Sequence, residues 1–155
     1  MEAPPLDDFI RALNRAFVAD DPGVAAKNLE RANVDAISQV FRNLGRGDLD
    51  AFVGGMTDDV ELEIHAPAEF PWIRQAKGPQ AFREAVARNF GALVDQQPEV
   101  LNVVAQGDCV VLFGREQGRL RVTGTPYDVQ FVYEFLFRDG RIYRVRELAA
   151  SSILP

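Results

Sequence analysis

With 155 residues, 47% of them hydrophobic, the chain has the length of a single domain and enough apolar material to bury a core. Its 17 basic and 23 acidic residues leave a net charge of −6, the wrong sign for neutralising phosphates, so nucleic acid is not expected as a partner. No apolar run approaches the roughly 18 residues of a membrane helix, and Met1–Pro5 lacks the basic and apolar regions of a signal peptide; a cytoplasmic protein without a membrane partner is expected.

Leu6, Phe9, Ile10, Leu13 and Phe17 recur at helical spacing and stop before Asp21-Pro22-Gly23. This predicts an N-terminal helical extension over residues 1–29, packed on a main domain of residues 30–155. Val34, Ile37, Val40, Phe41 and Leu44 form the next helical stripe, which Gly45 and Gly47 end. Asp48 then stands where it can cap a short helix carrying Leu49, Phe52 and Val53, and this accounts for Arg46-Gly47-Asp48 better than an adhesion motif does. Val60, Leu62 and Ile64 alternate with Glu61, Glu63 and His65, the period-two pattern of a strand with one buried face.

An irregular stretch bearing Phe70, Pro71 and Trp72 follows, and Gly78-Pro79 opens a third helix with Phe82, Ala85, Val86, Phe90 and Leu93 along one side. From Pro98 onward the pattern is one of strands: Val100–Ala105, Cys109–Glu116, Leu120–Thr123, Val129–Phe137 and Ile142–Leu148, separated by glycine-containing turns. Helices first and successive strands afterwards predict an α+β fold with the helices on one face of an antiparallel sheet. Val129–Phe137 is apolar on both faces, as in a central strand that meets the helices on one side and a second subunit on the other.

On the last strand Tyr143, Val145, Glu147 and Ala149 share a face, while Arg144 and Arg146 take the other. Glu147 is therefore a carboxylate on an apolar face, where burial raises the pKa toward the range useful for general acid/base chemistry. An ion pair with an arginine of a neighbouring strand explains it equally well. Tyr133, on the face of Phe131, Phe135 and Phe137, is a candidate donor to a developing oxyanion, or else a core aromatic lining a cavity. Glu116 joins Glu147 if its strand parity holds; a solvated pair with Arg115 or Arg119 is the alternative. His65, the single histidine, ends the first strand, as a catalytic group or a structural one. Phe70, Pro71 and Trp72 form either a pocket rim or apolar cover for a helix end. Cys109, inside CVVLF, reads as a buried hydrophobe, and one cysteine with one histidine falls short of a zinc set, so no metal and no other cofactor is expected.

The order of helix, GRGDLDAF turn and helix, MTDDVELEI strand, KGPQAF helix start, GDCVVLFG strand and FRDGRIYRVREL hairpin resembles the SnoaL-like, ketosteroid-isomerase-related pattern of the nuclear transport factor 2-like superfamily. The match covers about residues 30–150, and GREQGRLRVTG resembles a bacterial group within it described only as ketosteroid isomerase-related. The resemblance implies a cone in which a curved, antiparallel-rich sheet wraps three helices around an apolar pocket, with a homodimer formed through the sheet. It leaves the chemistry open, from isomerisation through polyketide cyclisation and epoxide opening to binding without catalysis.

Carried over by position, the isomerase's tyrosine, strand aspartate and protonated aspartate fall on Val40, Ile64 and Tyr133, so authentic ketosteroid isomerisation is not expected. The epoxide hydrolase's two aspartates fall on Glu116 and Glu147 and its arginine on Gly114, while its tyrosine and asparagine fall near Glu63 and His65. The expected site is a pocket for a small apolar molecule lined by Val40, Leu62, Ile64, Trp72, Phe131, Phe135 and Val145. Glu147, Tyr133, Glu116 and His65 are its candidate catalytic groups, for an isomerase, cyclase or epoxide hydrolase; a non-catalytic ligand-binding or dimerisation domain is the alternative.

Overall fold

The structure, a computed structural model, describes residues 25–151 and the side chains from residue 28 onward. The helix expected around Leu6–Phe17 lies outside the described residues. The first described helix, α1 (Ala25–Gly45), runs across the position where the extension was expected to meet the main domain.

Val34, Ile37, Val40 and Leu44 are all buried along one side of α1, as their spacing requires. The helix stops in a Schellman arrangement: Gly47 takes φ 73°, its N–H bonds to the Leu44 carbonyl at 2.9 Å, and the Asp48 N–H reaches the Asn43 carbonyl at 3.0 Å. Asp48 immediately becomes the N-cap of α2 (Leu49–Gly54), accepting the Ala51 N–H on its side chain at 3.0 Å. One aspartate thus closes one helix and opens the next. After β1 (Met56–His65) and the short β2 (Gln75–Lys77), α3 (Pro79–Gly91) begins with proline in its first turn and buries Phe82, Ala85, Val86 and Asn89.

The remaining strands are β3 (Leu93–Gln106), β4 (Cys109–Leu120), β5 (Pro126–Arg138) and β6 (Arg141–Ser151). The sheet is open, in the order β2-β1-β6-β5-β4-β3, and every neighbouring pair is antiparallel except β1 and β6, which run parallel. The expected α+β architecture holds, with four corrections of detail, the first being that Leu93, expected along the third helix, instead opens β3. Leu120–Thr123 is not a strand of its own, because β4 continues unbroken to Leu120 and residues 121–123 form the turn. β2, only three residues long, lies in the stretch expected to be irregular. Tyr143 leaves the inward row: a bulge opposite Leu136–Phe137 gives the buried place to Ile142, and the Tyr143 ring instead lies 4.5 Å beneath the Arg138 guanidinium.

The three described helices and the inward sheet face share one apolar cluster, from Val34 and Ile37 through Val60 and Leu112 to Ile142. A second, smaller cluster joins Phe70, Leu93, Tyr127 and Val129, with Trp72 and Leu120 against it. The outward face carries Cys109, which is half-buried rather than core, and the exposed side chains of Phe113 and Leu148. No helix among the described residues is long and apolar enough to cross a membrane.

Candidate active site

Strand register decides which inward side chains meet. Ile64 pairs with Glu147, Glu147 with Tyr133, and Tyr133 with Leu112, so a single row crosses four strands beneath the helices. The next row, Leu62, Val145, Phe135 and Val110, is wholly apolar. Between these rows and the helices lies a cavity of about 80 Å³. On the measure that gives a single water about 10–15 Å³, this is room for a small organic molecule.

Leu62, Ile64, Tyr133, Phe135 and Val145 form the sheet side of the cavity, Val40 and Phe41 border it from α1, and Phe82 and Val86 from α3. Trp72 enters from the segment between β1 and β2. That segment is a built cover: the Arg74 guanidinium donates to the carbonyls of Ala66, Pro67 and Phe70, and Asn89 of α3 clamps Ile73 by accepting its N–H at 2.8 Å and donating to its carbonyl at 3.0 Å. Of the seven expected binding residues, Val40, Leu62, Ile64, Trp72, Phe135 and Val145 border the cavity. Phe131 does not; it packs edge-on against the Tyr133 ring at 5.4 Å.

Glu147 is only 7% exposed and lines the cavity. The arginines that flank it in sequence cannot reach it, since alternation sends them to the outer face. There Arg144 and Arg146 approach Glu63 at 3.0 and 3.5 Å, and Arg146 approaches Glu134 at 3.8 Å. Burial pushes the Glu147 carboxyl up to about 8; the neighbouring Tyr133 side chain eases the effect and the charge of Glu116 adds to it.

Glu116, on β4, lines the same cavity, and burial raises its carboxyl to about 7, against the tempering influence of Gln96 and Tyr127. The residue before it on this face is Gly114, paired with Phe131. A Cβ built on Gly114 would overlap the edge of the Phe131 ring and lie 2.8 Å from the Glu99 carbonyl oxygen, so the ring occupies the space that a longer side chain would need. Among the described residues, none that lines the cavity is basic. Both carboxyls therefore shift upward, where an arginine between them would have pulled them down.

The SnoaL-like domain model matches residues 37–145, most of the chain. The chain belongs to the SnoaL-like domain family. None of the curated proteins matches it in sequence. Among solved structures, an NTF2-like protein from Burkholderia xenovorans LB400 superimposes with a TM-score of 0.67 at 21% identity, over 83% of this chain and 93% of that one. TerC co-crystallised with polyporic acid gives 0.61 at 24% identity over 75% and 89%. An LEH-like epoxide hydrolase of M. tuberculosis gives 0.59 at 16% identity over 78% and 84%. Identities this low establish a shared fold and nothing finer.

Within this SnoaL-like domain, three of the four expected catalytic groups, Glu147, Tyr133 and Glu116, face one cavity. His65 does not. It follows the inward Ile64 and so points outward, where its exposed ring bonds to Glu63. That carboxylate, also meeting Arg144, is held down at about 2. Tyr133 stacks on Phe135 at 5.7 Å, and burial beside Glu147 holds its phenol protonated well above the usual range, so it keeps a proton to donate. Two residues escaped the sequence reading. Asn89 falls on the buried stripe of α3 (Ala85, Val86, Asn89), where a polar residue is itself the signal. Tyr127 is buried one pairing step from Glu116, and only the register reveals it.

Proposed function

We propose that this protein is a cofactor-independent acid/base catalyst that moves a proton on a small, neutral, largely apolar molecule, as in an isomerisation or ring closure. The observation that carries the reading is the pair of cavity carboxyls at about 7 and about 8 with no basic side chain among the described residues that line the cavity. Near neutral pH the Glu147 carboxyl holds a proton and the Glu116 carboxyl is part-ionised. One cavity thereby offers a donor and an acceptor, each with a pKa matched to the medium. Tyr133, fixed as a donor, orients a substrate oxygen and supports charge that develops on it. Water opening of an epoxide is supported less well, because Gly114 and the Phe131 ring stand where the resemblance to the epoxide hydrolase puts its arginine.

A panel of small β,γ-unsaturated ketones, enolisable diketones and epoxides tests the reading by NMR-detected turnover and solvent deuterium incorporation. Turnover of a carbonyl substrate that falls at least ~100-fold in Glu147→Gln and Glu116→Gln, with the circular dichroism spectrum unchanged, supports it. Turnover of an epoxide alone moves the assignment to hydration. Tight binding of an apolar ligand, undiminished in the Glu116→Gln/Glu147→Gln double variant and without turnover, makes the protein a binding domain; the apolar lining favours that second reading.

A homodimer through the outer sheet face is part of the same proposal. Leu101, Val104, Phe113 and Leu148 are 57%, 50%, 41% and 48% exposed there, and Phe113 and Leu148 both flank Val132. Sedimentation that shows a dimer in the wild type and a monomer in Phe113→Glu supports it, and a wild-type monomer at high concentration refutes it. The location proposed with this function is the cytoplasm, which cell fractionation checks.

A further inference from the structure

Tyr127 does not border the cavity, yet its surroundings tie it to Glu116. On β5 it pairs with Gly118 of β4, two residues beyond Glu116 on the same inward face, while Val129 stands opposite Glu116 itself. A Cβ built on Gly118 would lie 2.8 Å from the Tyr127 Cζ and nearer still to its hydroxyl oxygen, so the ring rests against backbone that only glycine leaves open. The ring is buried and held edge-on by Phe70 at 5.3 Å, within the second apolar cluster. Its hydroxyl is buried as well and meets no partner in hydrogen-bond geometry, an uncommon state for an inward tyrosine. The acceptor beside it is the Glu116 carboxyl, and the Gln96 amide nitrogen of β3 is a second buried donor beside that carboxyl without a partner.

We infer that Tyr127 is a positioning residue: seated by Gly118, its hydroxyl donates to the Glu116 carboxylate and fixes the direction in which that carboxylate faces the cavity. The inference deepens the acid/base reading and rests on it for its catalytic meaning alone. Burial and the adjacent carboxylate raise the Tyr127 phenol far above neutrality, so it remains a donor throughout the working range. A donor strengthens its hold as the acceptor becomes an anion, and the contact closes when Glu116 gives up its proton. Among the described residues, the other groups bearing on Glu116 electrostatically are Tyr133 of β5 and Glu147 of β6, both inside the cavity; β3 contributes the neutral Gln96, and α3 contributes the neutral Asn89 to the cavity wall.

Tyr127→Phe keeps the ring over Gly118 and removes only the hydroxyl. Titration of the apo protein, carrying ¹³C at the glutamate carboxyls, is expected to show the Glu116 proton affinity rising roughly three- to tenfold, about half to one pH unit, with Glu147 moving less. Where turnover is found, the limb of the kcat profile that Glu116 governs shifts by the same amount with KM little changed, and a Glu116→Gln background abolishes the shift. A Tyr127→Phe protein with a lowered Tm and an unmoved Glu116 midpoint overturns the inference. If that variant fails to fold, Gly118→Ala, which tilts the intact tyrosine away, is expected to raise the midpoint in the same direction, and an unmoved midpoint there overturns it equally. Because the titration is read without substrate, a shifted Glu116 in a protein that turns nothing over supports the positioning role and removes only the catalytic reading.

Discussion

Replacing Glu147 by glutamine isolates the burden that the buried carboxyl places on folding. In the unfolded chain this carboxyl ionises at its ordinary 4.5; in the fold it does so only at about 8. Between those values the folded state holds a proton that the unfolded state has released, so stability falls as pH rises, at about 1.4 kcal/mol per pH unit. Its contribution is intact below pH 4.5 and fully lost above pH 8. From pH 5.5 to 8.5 the wild type is therefore expected to lose on the order of 3 kcal/mol through Glu147 alone, and Glu147→Gln, neutral at every pH, loses that much less. Urea denaturation of both proteins at pH 5.5, 7 and 8.5 measures the difference. The ion pairs of Glu63 do not intrude, since that carboxyl titrates at about 2, well below the window. Wild-type and variant curves that stay parallel across the three pH values would refute the assignment of Glu147 to a dry position where burial outweighs its hydrogen bond.

Three further outcomes follow from the same geometry. Gly114→Ala drives a methyl group into the Phe131 ring against a backbone oxygen that cannot yield, and is expected to cost about 1–3 kcal/mol in urea denaturation; a neutral result would mean the ring has a second seat. Asn89→Ala leaves the Ile73 N–H and C=O without their partners, costing about 1–3 kcal/mol and exposing residues 66–74 to limited proteolysis, while unchanged cleavage would show the Arg74 bonds to suffice. Arg74→Ala releases three carbonyls of the same cover. The off-rate of any ligand bound in the cavity should rise with it, and stopped-flow displacement checks this.

Much of the fold was legible because helix and strand periods differ so plainly between Val34–Leu44 and Val60–Ile64. Two features were not. The β1–β6 pairing is parallel and joins strands from opposite ends of the domain, which no local pattern announces; consecutive strands read as hairpins. β4 looked broken after Glu116 because Gly118 resembles a strand end, when it is the seat of a cross-strand aromatic ring. At the site, the inward parity of Glu147 could be read from the alternating Arg144 and Arg146. The outward placement of His65 was equally implicit in its alternation with Ile64, and the resemblance to a family site near that position drew attention to the wrong face. The parity of Glu116 depended on a register fixed only by the packed sheet.

The place of β6 in the sheet also sets an order of events during synthesis. β1 emerges early, but its long neighbour on one side is the last of the described strands to be made, and on the other side it has only the three residues of β2. Until Arg141–Ser151 arrives, the backbone edge of β1 lies bare beside the apolar row Val60, Leu62 and Ile64, the type of template on which nascent chains stick to one another. The polar side chains Glu61, Glu63 and His65 on its opposite face then act as guards against that pairing before they act as anything else. When β6 slots in, it closes the vulnerable edge and delivers Glu147 to the cavity in the same movement, so a ribosome-bound chain lacking β6 has neither a finished sheet nor an acid pair.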